Sequence, residues 1–151
     1  MKQQTLILVK PDGVQRGLIG QIIGRIEQKG LQVAAAKLIQ LDQNTAEKHY
    51  IEHIGKPFFT GLVNFITSSP IMAMVIEGVN AVEVMRTTMG STNPIEAAPG
   101  TIRGDYGLSI GLNLIHGSDS VDSAKREIAL FFSKSEIIDY SRDVDKWITE
   151  S

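Results

Sequence analysis

Leu6-Ile7-Leu8-Val9-Lys10-Pro11-Asp12-Gly13 is the stretch from which the architecture of this chain is read. Four consecutive apolar residues without polar alternation read as a short strand buried on both faces. Lys10-Pro11-Asp12-Gly13 then breaks the strand with strong turn chemistry. Immediately downstream, Ile19, Ile22, Ile23 and Ile26 recur at helical spacing, and Gly30 follows Lys29 where a helix end favours left-handed geometry.

Further along, residues 31–41 read as a second strand, with Leu31, Val33 and Ala35 alternating on one face. Asp42 and Asn44 suit the cap of a short helix over 45–54, which Pro57 interrupts. Phe58, Phe59, Leu62, Val63, Phe65 and Ile66 form another amphipathic helix, ended by Ser68-Ser69-Pro70. Residues 71–77 read as a third buried strand, 81–89 as a helix and 112–116 as a fourth strand. Ser120 caps a last helix through Leu130 and Phe131, and a tail reaches Trp147.

With the helix pair at 45–67 set aside as an insertion, the order is β-α-β-β-α-β. That is an α+β, ferredoxin-like sandwich with helices covering one face of the sheet. Between residues 90 and 111 lies a long loop with five of the chain's 14 glycines. Loops of that length are usually functional or disordered. With 151 residues and no repeat or linker, 1–151 reads as one domain.

The composition narrows the partners. The formal net charge is −2 and no Lys/Arg run stands out, which argues against nucleic acid as the main ligand. There are no cysteines, so disulfides and thiolate metal sites are excluded. The apolar run at 6–9 is too short for a signal core or a span, so no membrane association and a cytoplasmic location are expected. No G-x-x-x-x-G-K-[ST] and no G-x-G occur, so a phosphate site must be built from side chains.

Four features carry chemistry. Ile115-His116-Gly117-Ser118-Asp119-Ser120 puts a histidine at the end of an apolar strand, with Glu127 on the following helix able to fold back toward it. A neutral imidazole there is a candidate nucleophile for phosphorus; the competing reading is a structural histidine. Thr101-Ile102-Arg103-Gly104-Asp105, with Arg86 and Thr92 upstream, offers guanidinium forks and a hydroxyl suited to phosphate oxygens, or merely solvated arginines. His49-Tyr50-Ile51-Glu52-His53 matches the inverted zinc-peptidase pattern, although a third ligand is not marked. Phe58-Phe59 reads as core, or as a stacking platform for any nucleobase if a ring is exposed.

Taken together these segments resemble the nucleoside diphosphate kinase family nearly end to end. The matching runs are Val9-Lys10-Pro11-Asp12-Gly13-Val14, Arg16-Gly17-Leu18-Ile19-Gly20, Lys56-Pro57-Phe58-Phe59, Pro99 to Asp105, and Asn113 to Ser120. The resemblance implies ping-pong transfer of a γ-phosphate from a nucleoside triphosphate to His116 and on to a nucleoside diphosphate. It implies that Arg86, Thr92 and Arg103 hold phosphate oxygens, with Tyr50 close to them. Lys10 and Asn113 would reach the sugar hydroxyls and phosphates, Phe58 would stack on the base, and Glu127, supported by Ser118, would orient His116. Mg²⁺ would bridge the phosphates, as hard oxygen ligands favour. His49 and His53 look incidental under this reading. Stacking without base-edge hydrogen bonds implies little base specificity. The family forms hexamers or tetramers, and the tail through Trp147 resembles the hexameric members. One departure is Leu112, where the family commonly has arginine, which bears on local stability or subunit contacts. The alternatives are a zinc peptidase and a nucleotide-sensing module in which His116 is never phosphorylated.

Overall fold

A computed structural model describes residues 2–150. Its strands are β1 (Lys2–Val9), β2 (Gln32–Ile39), β3 (Ile71–Val79) and β4 (Ile115–Gly117), hydrogen-bonded in the order β2-β3-β1-β4. All three pairings are antiparallel. Seven α-helices accompany them: α1 (Pro11–Gln15), α2 (Ile19–Gln28), α3 (Gln43–His49), α4 (Phe59–Ile66), α5 (Ala81–Met89), α6 (Ile102–Tyr106) and α7 (Val121–Phe131). This is the expected α+β order.

The sheet is covered on both faces, not one. Leu6 and Leu8 of β1, with Ala73 and Val75 of β3, face a core closed by Val63 and Ile66 of α4 and Ile128 and Phe131 of α7. Ile7 and Val9, with Met74 and Ile76, face a second core closed by Ile22 and Ile26 of α2 and Met85 and Met89 of α5. The inserted helix pair and α7 fill what would otherwise be the open face. Each large apolar side chain buried in this way contributes about 1.5–3 kcal/mol.

Several expected boundaries move. The run after Val9 is a short helix, α1, with Pro11 in its first turn, where a missing N–H costs nothing. The alternation expected over 31–35 is broken by an irregularity between Val33 and Ala35. Leu31 and Val33 therefore face the α2/α5 core while Ala35 faces the other. The helix expected over 45–54 starts at Gln43, with Asp42 Oδ2 accepting from Thr45 N at 3.2 Å, and stops at His49. A 3₁₀ turn over Ile51–His53 follows; extended Ile54 and Gly55 at φ +84° then lead into Pro57, which a continuing helix cannot accommodate. Finally, the fourth strand begins only at Ile115, because Leu114 lies at φ +74°. Its N–H is taken by Asp12 Oδ2 at 3.0 Å and its carbonyl by Lys10 N at 2.8 Å, so those residues tie α1 to the start of β4.

The long loop is ordered around α6. Thr101 Oγ1 accepts from Gly104 N at 3.0 Å and donates to Ala98 O at 2.6 Å. A side chain at Gly104 would overlap the Ala98 carbonyl, so glycine is required there. Among the described residues no helix is long and apolar enough to cross a membrane.

Candidate active site

His116 is the middle residue of β4 and pairs with Leu8 of β1. The turn beyond it sends Ser120 to cap α7, its side chain accepting from Ser123 N, and one face of α7 then returns Glu127 to the strand. His116 Nε2 lies 3.0 Å from Glu127 Oε1, the contact expected from the sequence. Ser118, completely buried, donates from Oγ to the same carboxylate oxygen at 2.7 Å and accepts from Leu6 N at 3.2 Å.

Burial alone would raise the Glu127 carboxyl, but His116 and Ser118 outweigh it and hold the group below the usual carboxylate range. An ionised carboxylate only accepts, so the proton of this contact belongs to Nε2 and the lone pair of His116 to Nδ1. The arrangement supplies an oriented imidazole nucleophile with a fixed tautomer.

Around the histidine is a cleft of about 240 Å³, lined by Lys10, Tyr50, Arg86, Thr92, Arg103, Asn113, His116 and Glu127 among others. These are eight of the ten residues expected from the sequence. Ser118 lies beneath the wall. Phe58 is outside it: 51% exposed, its ring centroid stands 5.2 Å from that of His53, which itself lines the cleft. A larger hollow of about 690 Å³ beside α7 is mainly apolar, with Ile128, Phe132 and Ile137; Lys2, Lys125 and Lys134 also line it, but no histidine, arginine or carboxylate does.

Arg103 is buried, and its guanidinium spans three carbonyls: Nε to Asn113 O at 3.3 Å, Nη1 to Gly90 O at 3.0 Å and Nη2 to Ile115 O at 2.6 Å. Of its five N–H groups two remain for a ligand. Burial, then the charge of Arg86, brings its pKa down to about 10, so it stays cationic at neutral pH. Burial with the charge of Arg103 outweighs Asp12 and lowers Lys10 to about 8. Tyr50 is pushed up to about 12 by burial and then by Glu127, so its hydroxyl keeps its proton. Asn113 Nδ2 donates to Thr92 O at 2.9 Å, whereas its buried Oδ1 has no hydrogen-bond partner among the described residues.

Asp119, Arg126 and His49 join the wall without having been expected as site residues. Asp119 holds Arg86 through Oδ1 and Nη1 at 2.6 Å. Arg126 Nη2 stands 3.7 Å from Glu127 Oε2. His49, which looked incidental, is buried, with its ring 4.7 Å from that of His116 at 84°. Burial, then His116, pushes His49 down to about 3. Asp119 and Arg126 are sequence neighbours of marked residues, but nothing in their spacing distinguishes them. The histidine at 49 was visible only as part of a zinc pattern.

That pattern does not assemble as a helical pair. Because α3 ends at His49, His49 turns inward to His116 and Phe131, while His53 turns out toward Phe58 and Lys56. The geometry gives the zinc-peptidase reading no support.

The chain is similar to proteins of known activity over its whole length. Residues 3–137 match the family model described as nucleoside diphosphate kinase. A nucleoside diphosphate kinase of Desulforamulus reducens is 58% identical over 148 residues, covering 98% of this chain and 99% of the relative. One from Archaeoglobus fulgidus is 56% identical, with 98% of each chain covered. In three dimensions, a halophilic nucleoside diphosphate kinase from Halobacterium salinarum, solved in complex with CDP, superposes with a TM-score of 0.96 at 53% identity, over 99% of this chain and 100% of that one. The chain belongs to the nucleoside diphosphate kinase family.

Proposed function

We propose that, in the phosphoryl transfer between nucleoside tri- and diphosphates that membership of this family brings, His116 is the residue that carries the phosphoryl group. The observation supporting this is the Nε2–Glu127 hydrogen bond, which leaves Nδ1 as the free lone pair at the cleft wall. Nδ1 attacks the γ-phosphorus, the bond to the β,γ-bridging oxygen breaks, and the nucleoside diphosphate leaves. The phosphorylated ring bears positive charge, which Glu127 stabilises through Nε2–H. A second nucleoside diphosphate then takes the group by the reverse path, giving ping-pong kinetics.

Such transfer asks mainly for positioning and charge neutralisation. Arg86, Arg103 and Lys10 supply the cations for the phosphate oxygens, Thr92 and Tyr50 supply hydroxyls, and Asn113 has a free acceptor for a sugar hydroxyl. Phe58, exposed at the rim, is the platform on which any base stacks.

Mg²⁺ fits this donor set. Apart from Glu127, held by His116 and Ser118, the carboxylates of the wall are Glu52 and Asp119, the latter paired with Arg86. That is too few for an all-protein cage and suits an ion held chiefly by phosphate oxygens and water. Glu52, and Asp119 through the oxygen not engaged by Arg86, would hold such an ion, which would supply neutralisation of phosphate charge.

A homo-oligomer in the cytoplasm, a hexamer before a tetramer, completes the proposal. Leu108 and Trp147, each 82% exposed, are apolar surfaces suited to subunit contact. The test of the mechanism is labelling with γ-labelled ATP and magnesium, followed by unlabelled GDP. Label that stays on the protein through base but not acid, leaves as GTP, and is absent from His116→Ala supports the shuttle. An unlabelled protein that still binds nucleotide overturns it in favour of a sensing module.

A further inference from the structure

The imidazole at position 49 is buried, yet neither of its ring nitrogens has a hydrogen-bond partner among the described residues. Buried polar groups are rarely left so, and each such case calls for an explanation. The ring lines the same cleft as His116 and Glu127. One ring nitrogen of each histidine and one oxygen of Glu127 lie within 4.8 Å of one another.

We propose that His49, His116 and Glu127 form a binding site for a borderline-soft dication such as Zn²⁺, one that competes with phosphoryl transfer. Two imidazoles and a carboxylate are a familiar zinc donor set, whereas magnesium prefers oxygen and keeps its water. Zinc bonds of about 2.0–2.2 Å place tetrahedral ligands about 3.4 Å apart, so no pair needs to close by more than roughly 1.4 Å. His116 Nε2 and Glu127 Oε1 already stand 3.0 Å apart.

The ion blocks the nucleophile although it takes the other nitrogen of His116, Nε2, which is the one that faces Glu127. There it displaces the proton that Nε2 donated to Glu127, and that proton moves to Nδ1 and removes the lone pair there. Four cations on the wall, Lys10, Arg86, Arg103 and Arg126, oppose a bare dication. The affinity expected is therefore weaker than that of a closed structural zinc site, suited to reversible inhibition and not to a permanent ion. This is not peptide hydrolysis: the sequence pattern paired His49 with the wrong partner, since His53 faces the rim.

Binding stands apart from the proposed role of His116; the inhibition rests on it. The test therefore measures binding first, by calorimetric titration of ZnCl₂ into the full chain without nucleotide. One zinc per chain is expected. His49→Phe keeps a ring against His116 but offers no nitrogen, and its affinity should fall at least about tenfold, since loss of even an outer-sphere partner costs about 10–100-fold. Wild-type protein phosphorylated beforehand from ATP and freed of magnesium needs no variant, and its zinc affinity should fall similarly. Unchanged zinc affinity in His49→Phe overturns the site. Unchanged affinity in the phosphorylated chain removes His116 from it. In turnover, zinc at fixed magnesium should inhibit the wild type, and a chelator should restore it. Stoichiometric, His49-dependent zinc binding with undiminished turnover would keep the site but count against His116 as the nucleophile.

Discussion

Ser118 Oγ and His116 Nε2 converge on one oxygen, Oε1 of Glu127, at 2.7 and 3.0 Å. The serine touches nothing that reacts, yet it helps decide where the carboxylate sits and how readily it ionises. Ser118→Ala should lower kcat by about tenfold, equivalent to roughly 1.4 kcal/mol, close to the lower end of about 1.5–3 kcal/mol for a hydrogen bond to a charged group. The carboxyl of Glu127, held low in part by this hydrogen bond, should rise. Stability from a depressed carboxylate is present above its unfolded pKa and lost as pH falls through the folded one. Both acid unfolding and the acid limb of the transfer rate should therefore move to higher pH in the variant. A pH–rate profile of histidine phosphorylation checks this, and an unmoved acid limb would deny Ser118 its part.

Lys10 gives the opposite end of the pH range. With its pKa lowered to about 8, the folded chain sheds this proton before the unfolded chain does. Stability should rise with pH between about 8 and the ordinary lysine value, because there the unfolded state binds more protons. Phosphate affinity should move the other way, KM rising toward tenfold per pH unit above 8 as the charge is lost. Lys10→Met should flatten both trends. Thermal melts and KM measured over the same buffers separate them.

The two arginines should fail differently. Arg103→Met strands the carbonyls of Gly90 and Ile115, whereas that of Asn113 keeps Ile115 N at 2.8 Å. At about 1–2 kcal/mol for each orphaned acceptor, the loss is roughly 2–4 kcal/mol, or a fall in Tm of roughly 4–16 °C. Arg86 is paired only with Asp119 in an exposed bridge, worth at most about 1 kcal/mol. Arg86→Met should transfer phosphate poorly while melting near the wild type. Differential scanning calorimetry beside a transfer assay distinguishes the two.

Phe58→Ala should raise KM for ADP, GDP and CDP by similar factors, about 5- to 150-fold for a stacking loss of about 1–3 kcal/mol. A loss confined to one base would show that Phe58 reads identity and not merely the flat face of the ring.

Much of this was legible in the sequence because it is local. The apolar run at 6–9, the stripe at 19–26 and the caps at Asp42 and Ser120 depend on residues a few positions apart, and the element order followed from them. The approach of Glu127 to His116 was readable too, since one turn and two helical turns separate them. What escaped depends on distant partners. The second covered face needs the insertion to fold back over Leu6 and Leu8. The late start of β4 is set by Asp12 and Lys10, about a hundred residues upstream. The ends of α3 and the inward turn of His49 are decided by Gly55 and Pro57 beyond it, although both were in view. The ion pair of Arg86 with Asp119 joins two segments that share no pattern.

Arg103 binds three carbonyls that belong to the end of α5, the start of β4 and the residues before it. Its selection therefore has two sources that a sequence comparison cannot separate. A descendant of this chain that abandoned the reaction would be free to drift at Arg86, but would lose stability on losing the arginine at 103. Retention of that residue in a distant homologue is thus evidence of shared architecture, and only Arg86 and His116 together would speak for shared chemistry.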